Sequence, residues 1–70
     1  MTPLEKFVKE NGGKERVAEK IGVSSRVIYY YLDRRMVPGL EISAKLVKLS
    51  GGKLSFSDIW NSTKPINKGK

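Results

Sequence analysis

The stretch Lys14-Glu15-Arg16-Val17-Ala18-Glu19-Lys20-Ile21-Gly22-Val23-Ser24-Ser25-Arg26-Val27-Ile28-Tyr29-Tyr30-Tyr31-Leu32 decides how this chain is read. Val17, Ala18 and Ile21 recur at helical spacing among Lys14, Glu15, Arg16, Glu19 and Lys20, which predicts a helix over about 14–21 with one apolar stripe. Gly22-Val23 is a very short break, and glycine takes the left-handed turn conformation that other residues resist. Ser24 offers a hydroxyl to the free amides of a next helix over about 25–34, whose Ile28, Tyr31 and Leu32 share one face. Ala18 is small where two steeply crossing helices must approach, and Val23 plugs the gap between them. Together these make a helix-turn-helix layout. An ordinary helical hairpin closed by glycine would share the turn, but the outer face of the second helix argues against it.

With Ile28 set inward, about 100° per residue turns Arg26, Tyr30 and Asp33 outward, flanked by Tyr29 and Arg34, with Ser25 at the exposed N-terminal end. A helix of this kind enters the major groove of duplex DNA with its N-terminal residues on base edges. Arg26 is the first candidate for a base contact, because a guanidinium can donate two hydrogen bonds to one guanine. Ser25 can donate or accept, Val27 can touch a thymine methyl, and Tyr30 can reach a base or a phosphate. Tyr29 either joins them or rests against the protein, while Tyr31 is expected in the core. For phosphates the candidates are Lys14, at a helix start that attracts anions, with Arg16, Arg34, Arg35 and Lys45; any one of them can instead be merely solvated. Asp33 is out of place near DNA and at a helix C-terminus, unless it pairs with a neighbouring arginine.

Outward from this stretch the pattern stays helical. Thr2, Pro3 and Glu5 make a helix start, with a capping box between Thr2 and Glu5, and Leu4, Phe7 and Val8 line one face of a helix over about 3–10. Asn11-Gly12-Gly13 stops it. After Met36-Val37-Pro38-Gly39, a helix over about 40–50 carries Leu40, Ile42, Leu46, Val47 and Leu49 on a broad face and ends at Gly51-Gly52. Ser55 and Asp58 start a short helix over about 56–60, with Phe56, Ile59 and Trp60 on its apolar side. These three are also candidates for dimer contacts. The expectation is an all-α, compact four- to five-helix domain over 1–60, followed by a flexible basic tail over 61–70 whose Lys64, Lys68 and Lys70 can serve as a mobile arm.

Seventy residues allow one small core. Fourteen Lys and Arg against seven Asp and Glu leave a formal charge of +7, a field that attracts nucleic acid first and anionic membrane second. Residues 1–33 carry six basic and five acidic side chains, whereas residues 34–70 carry eight and two. There is no cysteine to build a disulfide framework or a thiolate metal site, no membrane-length apolar run, and no signal-peptide layout at the start, so a cytoplasmic protein is expected.

The pattern Lys14…Val17-Ala18…Ile21-Gly22-Val23-Ser24…Ile28…Tyr31 resembles the phage Cro and related small repressor family. Val37-Pro38, Gly51-Gly52-Lys53-Leu54 and Ser57-Asp58-Ile59 resemble its all-helical, lambda-repressor-like members. The resemblance implies a repressor that binds a pseudo-palindromic operator as a homodimer, in a bacterial or phage-infected cell, with base contacts at Ser25, Arg26 and Tyr30 and a phosphate contact at Lys14. Lys14 stands where relatives often have glutamine, and Tyr31 where many have tryptophan or an aliphatic side chain. Some members have strands after the third helix, so a short hairpin near residues 53–60 stays open.

With no histidine or cysteine, no nucleophile paired with a base and no phosphate loop after a strand, neither an enzyme nor a cofactor or metal site is expected. The serious competitor is an antitoxin-like domain of the same layout whose main partner is another protein. RNA binding is a third option, without an aromatic platform on a sheet to favour it.

Overall fold

The computed structural model describes residues 1–65, which form five helices: α1 Pro3–Glu10, α2 Lys14–Ile21, α3 Ser25–Leu32, α4 Leu40–Leu49 and α5 Phe56–Thr63. No strand occurs among the described residues, so the stretch after α4 is a turn leading into a helix rather than a hairpin. The radius of gyration, 11.3 Å, matches the roughly 11 Å expected of a compact chain of this length. Leu4, Phe7 and Val8 of α1, Val17, Ala18 and Ile21 of α2, Ile28 and Tyr31 of α3, Leu46 of α4, and Leu54 and Ile59 make one core. Tyr31 lies in it as expected, and burial pushes its phenol above the usual pKa. Within α4 the expected broad face is unevenly used: Leu46 is fully buried while Leu40, at the first turn, is 78% exposed.

The end of the chain departs from expectation. α5 does not stop at Trp60 but runs through Thr63, so the folded domain takes in residues assigned above to a flexible tail. Ser62 and Thr63 are fully buried, and Thr63 Oγ1 donates to the Ile59 carbonyl at 2.8 Å. The helix ends where it must: Lys64 precedes Pro65, which disfavours helical backbone, and Lys64 is extended. Lys68 and Lys70 lie outside the described residues.

The extra turn of α5 completes α1. A helix start leaves four amides without intrahelical acceptors. In α1 the first is removed by Pro3, Glu5 N–H donates to Thr2 Oγ1 at 3.1 Å, and Lys6 N–H reaches the Thr2 carbonyl at 3.0 Å. The remaining one, on Leu4, donates to Ser62 Oγ at 3.3 Å. Thr2 thus caps α1, but the Glu5 side chain does not return the bond that the expected capping box needs, and the acceptor that finishes the set comes from Ser62. In α5 the Ser55–Asp58 capping box forms in both directions, at 3.0 and 3.1 Å.

Ile59, a candidate dimer contact on sequence grounds, is only 1% exposed and belongs to the core. Its neighbours Phe56 and Trp60, 48% and 50% exposed, lie on the outer side of α5. Ile59→Ala should therefore cost about 2–5 kcal/mol, a large share of the roughly 3–10 kcal/mol available to a domain of this size. Trp60→Ala should cost much less, and urea unfolding of the two variants would expose an inverted order.

Candidate nucleic-acid interface

α2 and α3 are held together by the turn that the sequence singles out. Gly22 has φ 79° and ψ 30°, the left-handed conformation, and lets Val23 N–H bond the Ala18 carbonyl at 3.0 Å. Two residues later Ser24 turns extended, and its Oγ accepts from Val27 N–H at 3.3 Å to start α3. Ala18, Val17, Ile21, Ile28 and Tyr31 are buried between these helices and the rest of the core, with Val23 packed against them. α3 is thus fixed on its inner side.

On the outer side, Arg26 is exposed, Tyr29 is 45% exposed, and Tyr30 and Ser25 are half-buried. Arg26, Tyr29, Tyr30 and Asp33 follow one another at helical spacing, so they form one stripe along the exposed face. Val27 is half-buried against the core, so part of its side chain stays accessible beside Arg26. The Tyr29 and Tyr30 rings lie 5.9 Å apart, tilted by 53°. Arg35 lies 5.9 Å from the centre of the Tyr30 ring, and its Nε donates to Asp33 Oδ2 at 2.6 Å. That hydrogen bond, then the charge of Asp33, raises the pKa of Arg35 above its usual value. Asp33 does pair with a neighbouring arginine, as its awkward position demanded.

Arg34 does something else. α3 ends two residues short of the expected 34, because Arg34 takes φ 62°, the only non-glycine with positive φ among the described residues. The first four helices end alike, with an amide bonding the carbonyl five residues back just after a left-handed residue. That residue is Gly12, Gly22 and Gly51 after α1, α2 and α4, and Arg34 after α3, where Arg35 N–H reaches the Tyr30 carbonyl at 2.9 Å. The left-handed conformation costs a side-chain-bearing residue about 1–2 kcal/mol. It is offset by the guanidinium: Nη1 donates to the Asn61 carbonyl at 3.0 Å and the Lys64 carbonyl at 2.9 Å, capping the C-terminal end of α5. Arg34 is a clamp between α3 and α5, its Nη1 taken up by α5 carbonyls, where the sequence suggested a phosphate contact. The signal for it was the absence of glycine where a fourth helix end needed a left-handed residue.

The remaining cations divide between the two ends of α2. Lys14 opens α2, whose N-cap Gly13 supplies no side-chain cap, so its first amides stay available beside an exposed lysine. Arg16 is exposed two residues on, its aliphatic stem lying over Gly12, where an added Cβ would meet Arg16 Cγ at 2.8 Å. Lys45 stands elsewhere: with Lys20, Lys48, Glu19 and Leu49 it lines an open groove of about 630 Å³ at the C-terminal end of α2. Eight helical residues put these two ends roughly 12 Å apart, so Lys14 and Lys45 do not form one cluster. Among the described residues no helix is long and apolar enough to cross a membrane. No family model, curated protein or solved structure matches this chain.

The clamp gives a test of its own. Arg34→Ala keeps the costly backbone and loses the two charge-assisted bonds, so it should destabilise by about 1–3 kcal/mol. Arg34→Gly loses the same bonds but relieves the backbone, and should be the milder variant by roughly 1 kcal/mol. Thermal or urea unfolding that ranks alanine equal to glycine would remove the left-handed strain from the account.

Proposed function

We propose that the chain is a sequence-specific duplex-DNA-binding transcriptional regulator, a repressor of the phage Cro type that inserts α3 into the major groove. One observation carries this. α3 is anchored through Ile28 and Tyr31 while Arg26, Tyr29 and Tyr30 stand on its outer face, on a helix started by Ser24 and set against α2 by the left-handed Gly22. The formal charge of +7 supports a polyanionic partner. In this reading Arg26 donates to a guanine edge, Ser25 and Tyr30 make adjoining contacts, and Lys14 and Arg16 take phosphates near the uncapped start of α2.

A homodimer on a pseudo-palindromic operator follows from the same resemblance. The half-exposed Phe56 and Trp60, four residues apart on α5, are the apolar surface that would pair the copies. That exposed pair also favours the second reading, an antitoxin-like domain whose main partner is another protein. Selection from random duplex DNA separates the two. A preferred sequence with half-sites about 10 base pairs apart supports the dimeric regulator, and no preferred sequence supports the protein-binding alternative.

Arg26→Ala should reduce discrimination by about 1–3 kcal/mol at one base-pair position of the selected site. Equal weakening on every sequence would remove Arg26 as a reader. Lys14→Ala should leave the preferred sequence unchanged and lower the steepness of the log K against log[salt] plot by about 0.9, the value of one phosphate contact. Titrations at several salt concentrations measure both effects.

A further inference from the structure

Beyond the stripe that would read DNA, the turn after α3 arranges three consecutive charged residues in a particular way. The closing bonds Arg34 N–H to Tyr31 O at 3.2 Å and Arg35 N–H to Tyr30 O at 2.9 Å fix the backbone of Asp33, Arg34 and Arg35. Arg34 is thereby sent to α5, and Arg35 comes back over α3. There Asp33 receives the Arg35 Nε hydrogen bond at 2.6 Å, and the guanidinium lies by the Tyr30 ring, which Tyr29 borders as well. Among the described residues this is the one ion pair, in a chain with twice as many cationic as anionic side chains. It sits on the same face as Arg26, where a carboxylate works against a polyanion.

We propose that Asp33 is a specificity-determining residue of the DNA interface: it tethers Arg35 to Tyr30 and keeps that arginine from seeking phosphates. The proposal rests on DNA binding through α3. Binding to arbitrary duplex is driven by cations that replace phosphate counterions, and a free arginine adds to it on every sequence alike. An arginine whose charge is shared with a carboxylate adds less, even in a pair 63% and 42% exposed. Its flat guanidinium instead borders the Tyr30 ring, one helical turn from Arg26, and limits where the phenol can point. Discrimination is a ratio of affinities, so suppressing arbitrary binding raises it as surely as a new base contact does.

The test uses the full chain and Asp33→Asn, which keeps shape and removes charge. In the free variant, the NMR resonances of the Arg35 side chain should lose their ring-current shift from Tyr30; retention of that shift overturns the tether without reference to DNA. On random duplex, Asp33→Asn should bind more tightly, with a log K against log[salt] plot steeper by about 0.9. Affinity for the selected site should change less, so that the ratio of the two falls. In an Arg35→Gln background, Asp33→Asn should leave the slope unaltered. An unchanged slope in the single variant, or the same steepening without Arg35, overturns the proposal, the latter by reducing Asp33 to plain repulsion. A parent protein with no preference among duplexes would sink the DNA-binding reading and the specificity role together, while leaving the NMR outcome to stand for the tether.

Discussion

The longest of the five helices has ten residues and the others have eight. Helices of that length are marginal in water when isolated, because few hydrogen bonds form relative to the backbone freedom lost. Each here is therefore held from outside through an inner face in the common core, and α1 and α5 also through ends closed by distant partners. The amides of α1 are completed by Thr2 and Ser62, and the last carbonyls of α5 by Arg34. Ser50 holds the α4–α5 turn, donating to the Val47 carbonyl and accepting from Leu54 N–H. The placement of α3, on which any function of its outer face depends, follows from this mutual closure more than from α3 itself.

What the sequence made legible was local and periodic. Apolar spacing located all five helices, and the glycine turn, Ser24 and the Ser55–Asp58 box marked starts and stops that the structure keeps. The all-helical character was readable for the same reason. The errors came where a distant partner overrides local chemistry. Asn61-Ser62-Thr63 looks like polar tail until Ser62 finds the Leu4 amide and Thr63 packs into the interior, although Pro65 marked the true end. Arg34 looked like one more surface cation because nothing nearby in sequence reveals the α5 carbonyls that it caps.

The candidate interface shows how little a count of positive charge says about what each charge does. Arg26 is exposed, Arg34 is spent on α5, and Arg35 is matched with Asp33. Lys14 stands by open amides, whereas Lys45 shares its groove with Lys20 and Lys48 at the other end of the same helix. Periodicity placed Arg26 and Tyr30 outward with the backbone alone. Assigning the remaining cations required the three-dimensional course of the α3–α4 connector and of α5.

The bond between Leu4 N–H and Ser62 Oγ spans 58 positions of sequence. During synthesis α1 leaves the ribosome before α5, so its start lacks this acceptor until Ser62 has emerged. The α3 turn likewise waits for the carbonyls of Asn61 and Lys64. Closure of α1 and of the α3 turn therefore comes after α5 is made. Hydrogen exchange at the Leu4 amide reports the docking of α5 onto α1.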